Sequence, residues 1–296
     1  MTCGVHKLKR KDRGHVMRQM AIYGKGGIGK SMVSSHISFA LGTKGLKVLH
    51  VGCDPKHDST RLLLRGKMPQ TVLGTLRKND FKVQDISLRE VVFESPLTSE
   101  CSGEIYCSES GGPDPGLGCG GKGVVEAIET LKHLDVFEKL NLDVVLYDVL
   151  GDVVCGGFSM PIREGHANEI YIVSSGEIEV LFAASNICKA VSRFNARSGA
   201  QLGGIIGNLR ELKNEENILT GFAERLGTRV VGFIPYSEKI KECSGKGVTL
   251  FQLYPDSPEC DAFRRLTDAI WENDHYAVPG SMNFETLHAW WSKAKA

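Results

Sequence analysis

No stretch of this 296-residue chain holds the roughly 18 uninterrupted apolar residues that a membrane-spanning helix needs. Charge of one sign is scarce too: Lys and Arg number 36 against 35 Asp and Glu, a formal net charge of +1. No strong field therefore draws the chain to nucleic acid or to an acidic membrane surface, and neither is expected as a partner. The basic opening, MTCGVHKLKRKDRGHVMRQ, lacks the apolar segment and small-residue cleavage site of a secretory signal. Residues 1–17 read as a flexible basic extension, with a nucleic-acid arm as the alternative, and the protein reads as cytoplasmic. No linker rich in proline, glycine or serine divides the remainder, and no internal repeat is visible, so residues 18–296 read as one domain. No two cysteines stand in a CxxC pair. The nine present are Cys3, Cys53, Cys101, Cys107, Cys119, Cys155, Cys188, Cys243 and Cys260. An odd number without an export signal argues against a disulfide framework.

What is present is ordinary for a globular protein: 42% hydrophobic and 24% charged residues. Continuous apolar runs predict strands at about 17–23, 47–52, 143–149, 169–174, 202–208 and 229–234. Helical patterns fall at about 30–43, 122–133, 178–196, 215–226, 258–273 and 283–293. Strands without polar alternation are covered on both faces. The alternation with helices predicts an α/β fold, a doubly wound and mostly parallel sheet. One segment, 95–121, is crowded with Gly, Pro, Ser and Cys and reads as a long functional loop.

GKGGIGKS, Gly24 to Ser31, matches G-x-x-x-x-G-K-[ST] between an apolar strand and a helix. Its glycines let backbone N–H groups converge on phosphate oxygens, and the helix N-terminus adds positive potential. The segment Gly24, Lys25, Gly26, Gly27, Ile28, Gly29, Lys30, Ser31 and Met32 is thus the expected nucleotide site. Lys30 is expected on the β/γ-phosphates and the Ser31 hydroxyl on Mg²⁺. Lys25 is either a solvated charge or a cation reaching a nucleotide on a second subunit, as in deviant Walker A loops. Asp54 and Asp58 follow the second strand, and Asp54 is placed to act as general base or to orient the attacking water. Asp148 ends the third predicted strand as the expected magnesium-side carboxylate, and Asp152 opens a second switch. Carboxylates at strand ends can also cap helices. At the sheet edge where α/β proteins bind ligands, two of them favour the functional reading.

Cys119 and Cys155 are each followed by two glycines. Excluded bulk lets a thiolate press against a large inorganic group, and a [4Fe–4S] cluster needs four such ligands. One chain offers two in this setting, and a homodimer with the cluster on its axis offers four. The same dimer brings Lys25 to the partner's nucleotide. From spacing alone, ordinary loop cysteines remain the alternative. Cys101 and Cys107 read as extra ligands, a redox pair or incidental, the last being favoured because neither is glycine-flanked.

GKGGIGKS, GCDPKHDSTRLLL, ESGGPDPGLGCGGKGV, YDVLGDVVCGGFSMPIRE and EIYIVSSGE together resemble the nitrogenase iron protein family over roughly residues 18–275. The resemblance implies a homodimeric P-loop ATPase with one bridging [4Fe–4S] cluster held by Cys119 and Cys155. It implies ATP, ADP and Mg²⁺ as ligands, Asp54 and Asp58 in a first switch, and Asp148 and Asp152 in a second. Asn208 and Pro235 would contact the adenine or its surroundings. A larger nitrogenase-like catalytic component is the implied electron acceptor, and ferredoxin or flavodoxin the implied donor. Several residues depart from the conventional pattern. Lys122 stands where the family usually has arginine, keeping the charge without the planar fork. His57 is similar to the protochlorophyllide reductase branch, while GGFSMPIRE and EIYIVSSGE resemble the nitrogenase branch. MVSSHISFAL replaces a threonine-rich helix start. The mixture implies a nitrogenase-like paralogue, with methylthio-alkane reductase first. A conventional nitrogenase iron protein and a tetrapyrrole reductase component are the alternatives.

A positioning ATPase of the septum-site or plasmid-partition kind shares the loop and the dimer but needs no iron. An iron–sulfur scaffold ATPase uses a C-terminal CxxC, which is lacking. The aromatic and basic C-terminus, NFETLHAWWSKAKA, reads as a terminal helix rather than a membrane-surface one.

Overall fold

In the computed structural model, residues 17–112, 120–151 and 159–295 are described. Cys119, Asp152 and Cys155, and nearly all of the basic extension, lie outside them. The chain runs β1 (Arg18–Tyr23), α1 (Lys30–Thr43), β2 (Lys47–Cys53), α2 (Val72–Lys78), β3 (Phe93–Glu94) and β4 (Glu104–Glu109). It continues through α3 (Gly120–His133), α4 (Val136–Lys139), β5 (Val144–Val149), α5 (Met160–Arg163), β6 (Glu169–Ser174), α6 (Ile178–Ser198) and β7 (Gln201–Asn208). The last elements are α7 (Glu215–Arg225), β8 (Val230–Ile234), α8 (Glu238–Lys246), α9 (Leu250–Leu253), α10 (Pro258–Trp271) and α11 (Phe284–Ala294).

The strands form one sheet in the order β3-β4-β2-β5-β1-β6-β7-β8. Only the two-residue β3 is antiparallel to its neighbour; the other pairings are parallel. The doubly wound α/β expectation is met, and all six predicted strands are present. Successive side chains point to opposite faces, so each strand feeds two cores. Leu49, Val51, Val145, Tyr147, Ile170 and Ile172 pack with α3, α6 and α7. Val48, Ile105, Cys107, Val144, Leu146 and Ile206 pack with α1 and α10.

One expectation is corrected. Segment 95–121 is not simply a loop, because β4 lies inside it and pairs with the whole of β2, from Lys47↔Glu104 to Gly52↔Glu109. Its last two residues, Ser108 and Glu109, are buried on opposite faces without being apolar, which hid its strand character. Cys107 is a fully buried member of this strand.

Candidate functional site

The phosphate loop leaves β1, in the centre of the sheet, and enters α1. Gly29 carries φ +91°, and a Cβ there would stand 2.6 Å from the Asn208 side-chain nitrogen. Both the left-handed backbone and the close approach require glycine. Gly26 and Gly27 face open space, so the backbone of the loop is accessible to an anion. No side chain caps the N-terminus of α1, leaving its first N–H groups free for the same anion. Lys25 is exposed on the loop's outer side, as reach toward another molecule requires.

Lys30 and Asp148 are buried together, with Lys30 Nζ donating to Asp148 Oδ1 at 2.5 Å. Burial alone would raise the Asp148 carboxyl. The Lys30 charge, with His50 and hydrogen bonds from Lys30 and Ser31, outweighs it and holds the group below the ordinary carboxylate range. Asp148 is therefore ionised, as a magnesium-side carboxylate must be. Ser31 stands beside Lys30, with Oγ 3.4 Å from Nζ. The phosphate loop, a hydroxyl and an ionised carboxylate thus converge at the C-terminal edge of the sheet and fit a magnesium nucleotide.

The segment expected as a first switch follows β2. Asp54 Oδ1 accepts the Lys56 N–H at 2.9 Å, a side-chain turn that shapes the loop; Asp58 is exposed. At the end of the segment, the Ser59 hydroxyl donates to Asp148 Oδ2. Thr60 donates from N and Oγ1 to Glu109 Oε1 at 2.6 and 2.8 Å. Gly151, the last described residue before the segment expected as a second switch, touches the phosphate loop. A Cβ on Gly151 would meet the Gly24 carbonyl oxygen at 2.1 Å, so the two backbones are in close contact there.

Asn208 ends β7 and Pro235 follows β8. Asn208 Nδ2 donates to the Ile28 carbonyl at 2.6 Å and supports the loop directly. Pro235 lines a cleft of about 470 Å³ with Leu209, Leu212, Asn217 and Tyr236. Glu215 shapes it, accepting the N–H groups of Gly176, Arg210 and Leu212. Glu215, Glu109, His50 and Gly151 are site residues that sequence reasoning missed. Neither Glu109, the last residue of β4, nor Glu215, the first of α7, carries a sequence signal of its buried bonds.

The six described cysteines are free thiols. Burial raises those of Cys53, Cys107 and Cys260, and pushes Cys188 to about 12 and Cys101 and Cys243 to about 11. Such groups resist becoming the thiolates that iron requires. Among the described residues no group of three or more His, Cys, Asp or Glu is arranged to hold a metal ion. The segments that contain Cys119 and Cys155 leave from the end of β4 and the end of β5, the edge that carries the phosphate loop. Lys122 is exposed on the first turn of α3.

The C-terminal residues form α11, held inward by Trp291 Nε1 donating to Gly176 O at 2.8 Å and by Trp290 stacked on Phe222. Among the described residues no helix is long and apolar enough to cross a membrane.

Comparison with known proteins agrees with this geometry. The chain is 42% identical over 273 residues to a nitrogenase iron protein of Methanospirillum hungatei JF-1, covering 92% of this chain and 94% of the relative. Solved structures of low identity share the fold. The septum site-determining protein MinD complexed with Mg-ADP from Pyrococcus horikoshii OT3 superposes with TM-score 0.63 at 19% identity, covering 87% of this chain and 97% of that one. Cobyrinic acid a,c-diamide synthase from Mycobacterium smegmatis gives 0.61 at 18%, covering 90% and 100%. The pattern of the 4Fe-4S iron sulfur cluster binding proteins, NifH/frxC family, matches residues 18–295, and the chain belongs to that family.

Proposed function

We propose that this protein is the ATP-dependent reductase component of a nitrogenase-like system: a homodimer that passes low-potential electrons to a larger catalytic partner. The observation that carries the reading is the buried Lys30–Asp148 pair at the mouth of an open glycine loop, in a chain of an iron–sulfur family. When bound, the cluster supplies one-electron transfer and the magnesium ion neutralises phosphate charge. Cys119 and Cys155 of each subunit hold the cluster. Lys30 would hold the phosphates, and Asp148 and the Ser31 hydroxyl would hold the metal; Lys30 and Asp148 would then no longer face only each other.

Asp148 moves with Ser59, so this change is felt in the first switch. Gly24 bears on Gly151, next to the proposed second switch, in which Cys155 follows Asp152 by three residues. Asp54 orients the attacking water, Asp58 belongs to the same switch, and Lys25 serves the nucleotide of the opposite subunit. The cleft beside Pro235 takes the base. Ferredoxin or flavodoxin is the proposed donor.

For the acceptor we favour methylthio-alkane reductase, on the combination of Lys122, His57 and the altered start of α1. The second reading is a conventional nitrogenase iron protein, favoured by the 42% identical relative. Trapping the nucleotide with a transition-state mimic and identifying the larger protein that co-purifies separates the two. In the same assay Lys25→Gln retains nucleotide binding and loses electron delivery. Unchanged turnover removes Lys25 from the mechanism.

A further inference from the structure

A buried polar chain crosses from α1 to the magnesium-side carboxylate. Ser38 Oγ lies 2.8 Å from His50 Nδ1, and His50 Nε2 lies 2.8 Å from Ser59 Oγ. Ser59 donates to Asp148 Oδ2. All four side chains are buried. The sense of the chain follows from its end: an ionised Asp148 only accepts. Ser59 therefore spends its proton on Asp148 and must accept from His50 Nε2–H. The other ring nitrogen, Nδ1, then accepts from Ser38. This is neutral imidazole in one tautomer, which agrees with burial pushing His50 down to about 4.

The rest of Ser59 is already fixed. Ser35 on α1 donates to the Ser59 carbonyl at 2.8 Å, and the next residue, Thr60, is held twice by Glu109. The Ser59 hydroxyl is held by its two side-chain partners, donating to Asp148 and accepting from His50. We propose that His50 is a positioning residue for magnesium: through the Ser59 hydroxyl it sets the orientation of the Asp148 carboxylate. With Lys30 turned to phosphate and the Ser31 hydroxyl turned to the metal, Asp148 would keep the Ser59 bond as the one that aims it. Groups that orient a metal-side ligand typically govern affinity by about 10–100-fold. The inference rests on the nucleotide reading above.

The test uses the intact dimer with its cluster, with Mn²⁺ replacing Mg²⁺ as an electron paramagnetic resonance probe at saturating ADP. ADP binding is measured separately in EDTA, where the metal plays no part. His50→Leu is expected to weaken Mn²⁺ about tenfold and to leave metal-free ADP binding unchanged. His50→Gln, whose amide can accept from Ser38 and donate to Ser59, is expected to restore most of the Mn²⁺ affinity. If His50→Leu does not fold, Ser59→Ala carries the same expectation, because Ser35 bonds the backbone and not the hydroxyl. Unchanged Mn²⁺ affinity in a folded variant overturns the proposal. So does a parallel loss of Mn²⁺ and of metal-free ADP, which marks a merely structural role. A wild-type chain that binds no ADP in EDTA overturns the nucleotide reading itself.

Discussion

The two faces of the sheet come from the same strands and are filled differently. On the side of α3, α6 and α7 the core is dominated by Leu, Ile, Val and Ala, with tyrosines at positions 23 and 147. On the side of α1, the strands carry His50, Glu109 and Asp148, and α1 adds Ser34, Ser35, His36 and Ser38, all buried. The registers place Gly52 between Glu109 on β4 and Asp148 on β5. Buried polar groups are costly unless bonded, and here almost every one is bonded to another. The molecule concentrates that cost on the face where a charged ligand arrives and leaves the other face to supply stability.

Breaking the polar face at its centre should have the largest effect. Asp148→Leu leaves Lys30 buried without its counter-charge and should destabilise the chain by about 3–5 kcal/mol, read by urea unfolding in EDTA. On the apolar face, Leu131→Ala opens a cavity among fully buried neighbours. It should cost about 3 kcal/mol while ADP affinity stays constant; a matching loss of affinity would mean that the faces are not separable.

Glu109 sharpens the contrast through pH. Its Oε2 has no hydrogen-bond partner, and burial pushes its carboxyl from 4.5 to about 8. The folded state therefore holds this proton more tightly than the unfolded one. The associated stability is fully present below pH 4.5 and is lost as pH rises through about 8. Between those values the slope approaches about 1.4 kcal/mol per pH unit. Glu109→Gln should flatten that part of the stability profile in metal-free buffer; an unchanged slope would assign it to another group. The smallest expected effect is Trp291→Phe, which removes one bond to the Gly176 carbonyl and should cost about 1 kcal/mol by thermal unfolding.

What the sequence disclosed follows the same division. Elements with apolar cores announced themselves: β1, β2, β5, β6, β7 and β8 were visible as unbroken apolar runs, and α6 by its periodicity. β4 was not, because ending a strand in Cys-Ser-Glu looks like a loop when the glutamate's partner, Thr60, is 49 residues away. α8, nine residues rich in Glu and Lys, buries only Ile240 and Cys243, a stripe too short to mark a helix by periodicity. The phosphate loop was legible because backbone geometry forces its glycines. His50 was not, since its function comes from Ser38 and Ser59, which only the packing of α1 against β2 brings together. A histidine inside an apolar strand carries no mark of what it faces.

The central claim is that two chains share one cluster through Cys119 and Cys155. Native mass spectrometry of the anaerobically isolated protein tests it most directly. The account predicts a dimer carrying one cluster of about four irons, with Cys155→Ala giving an iron-free chain that still binds ADP. A monomer that retains its iron, or a Cys155→Ala protein with the cluster intact, would contradict it.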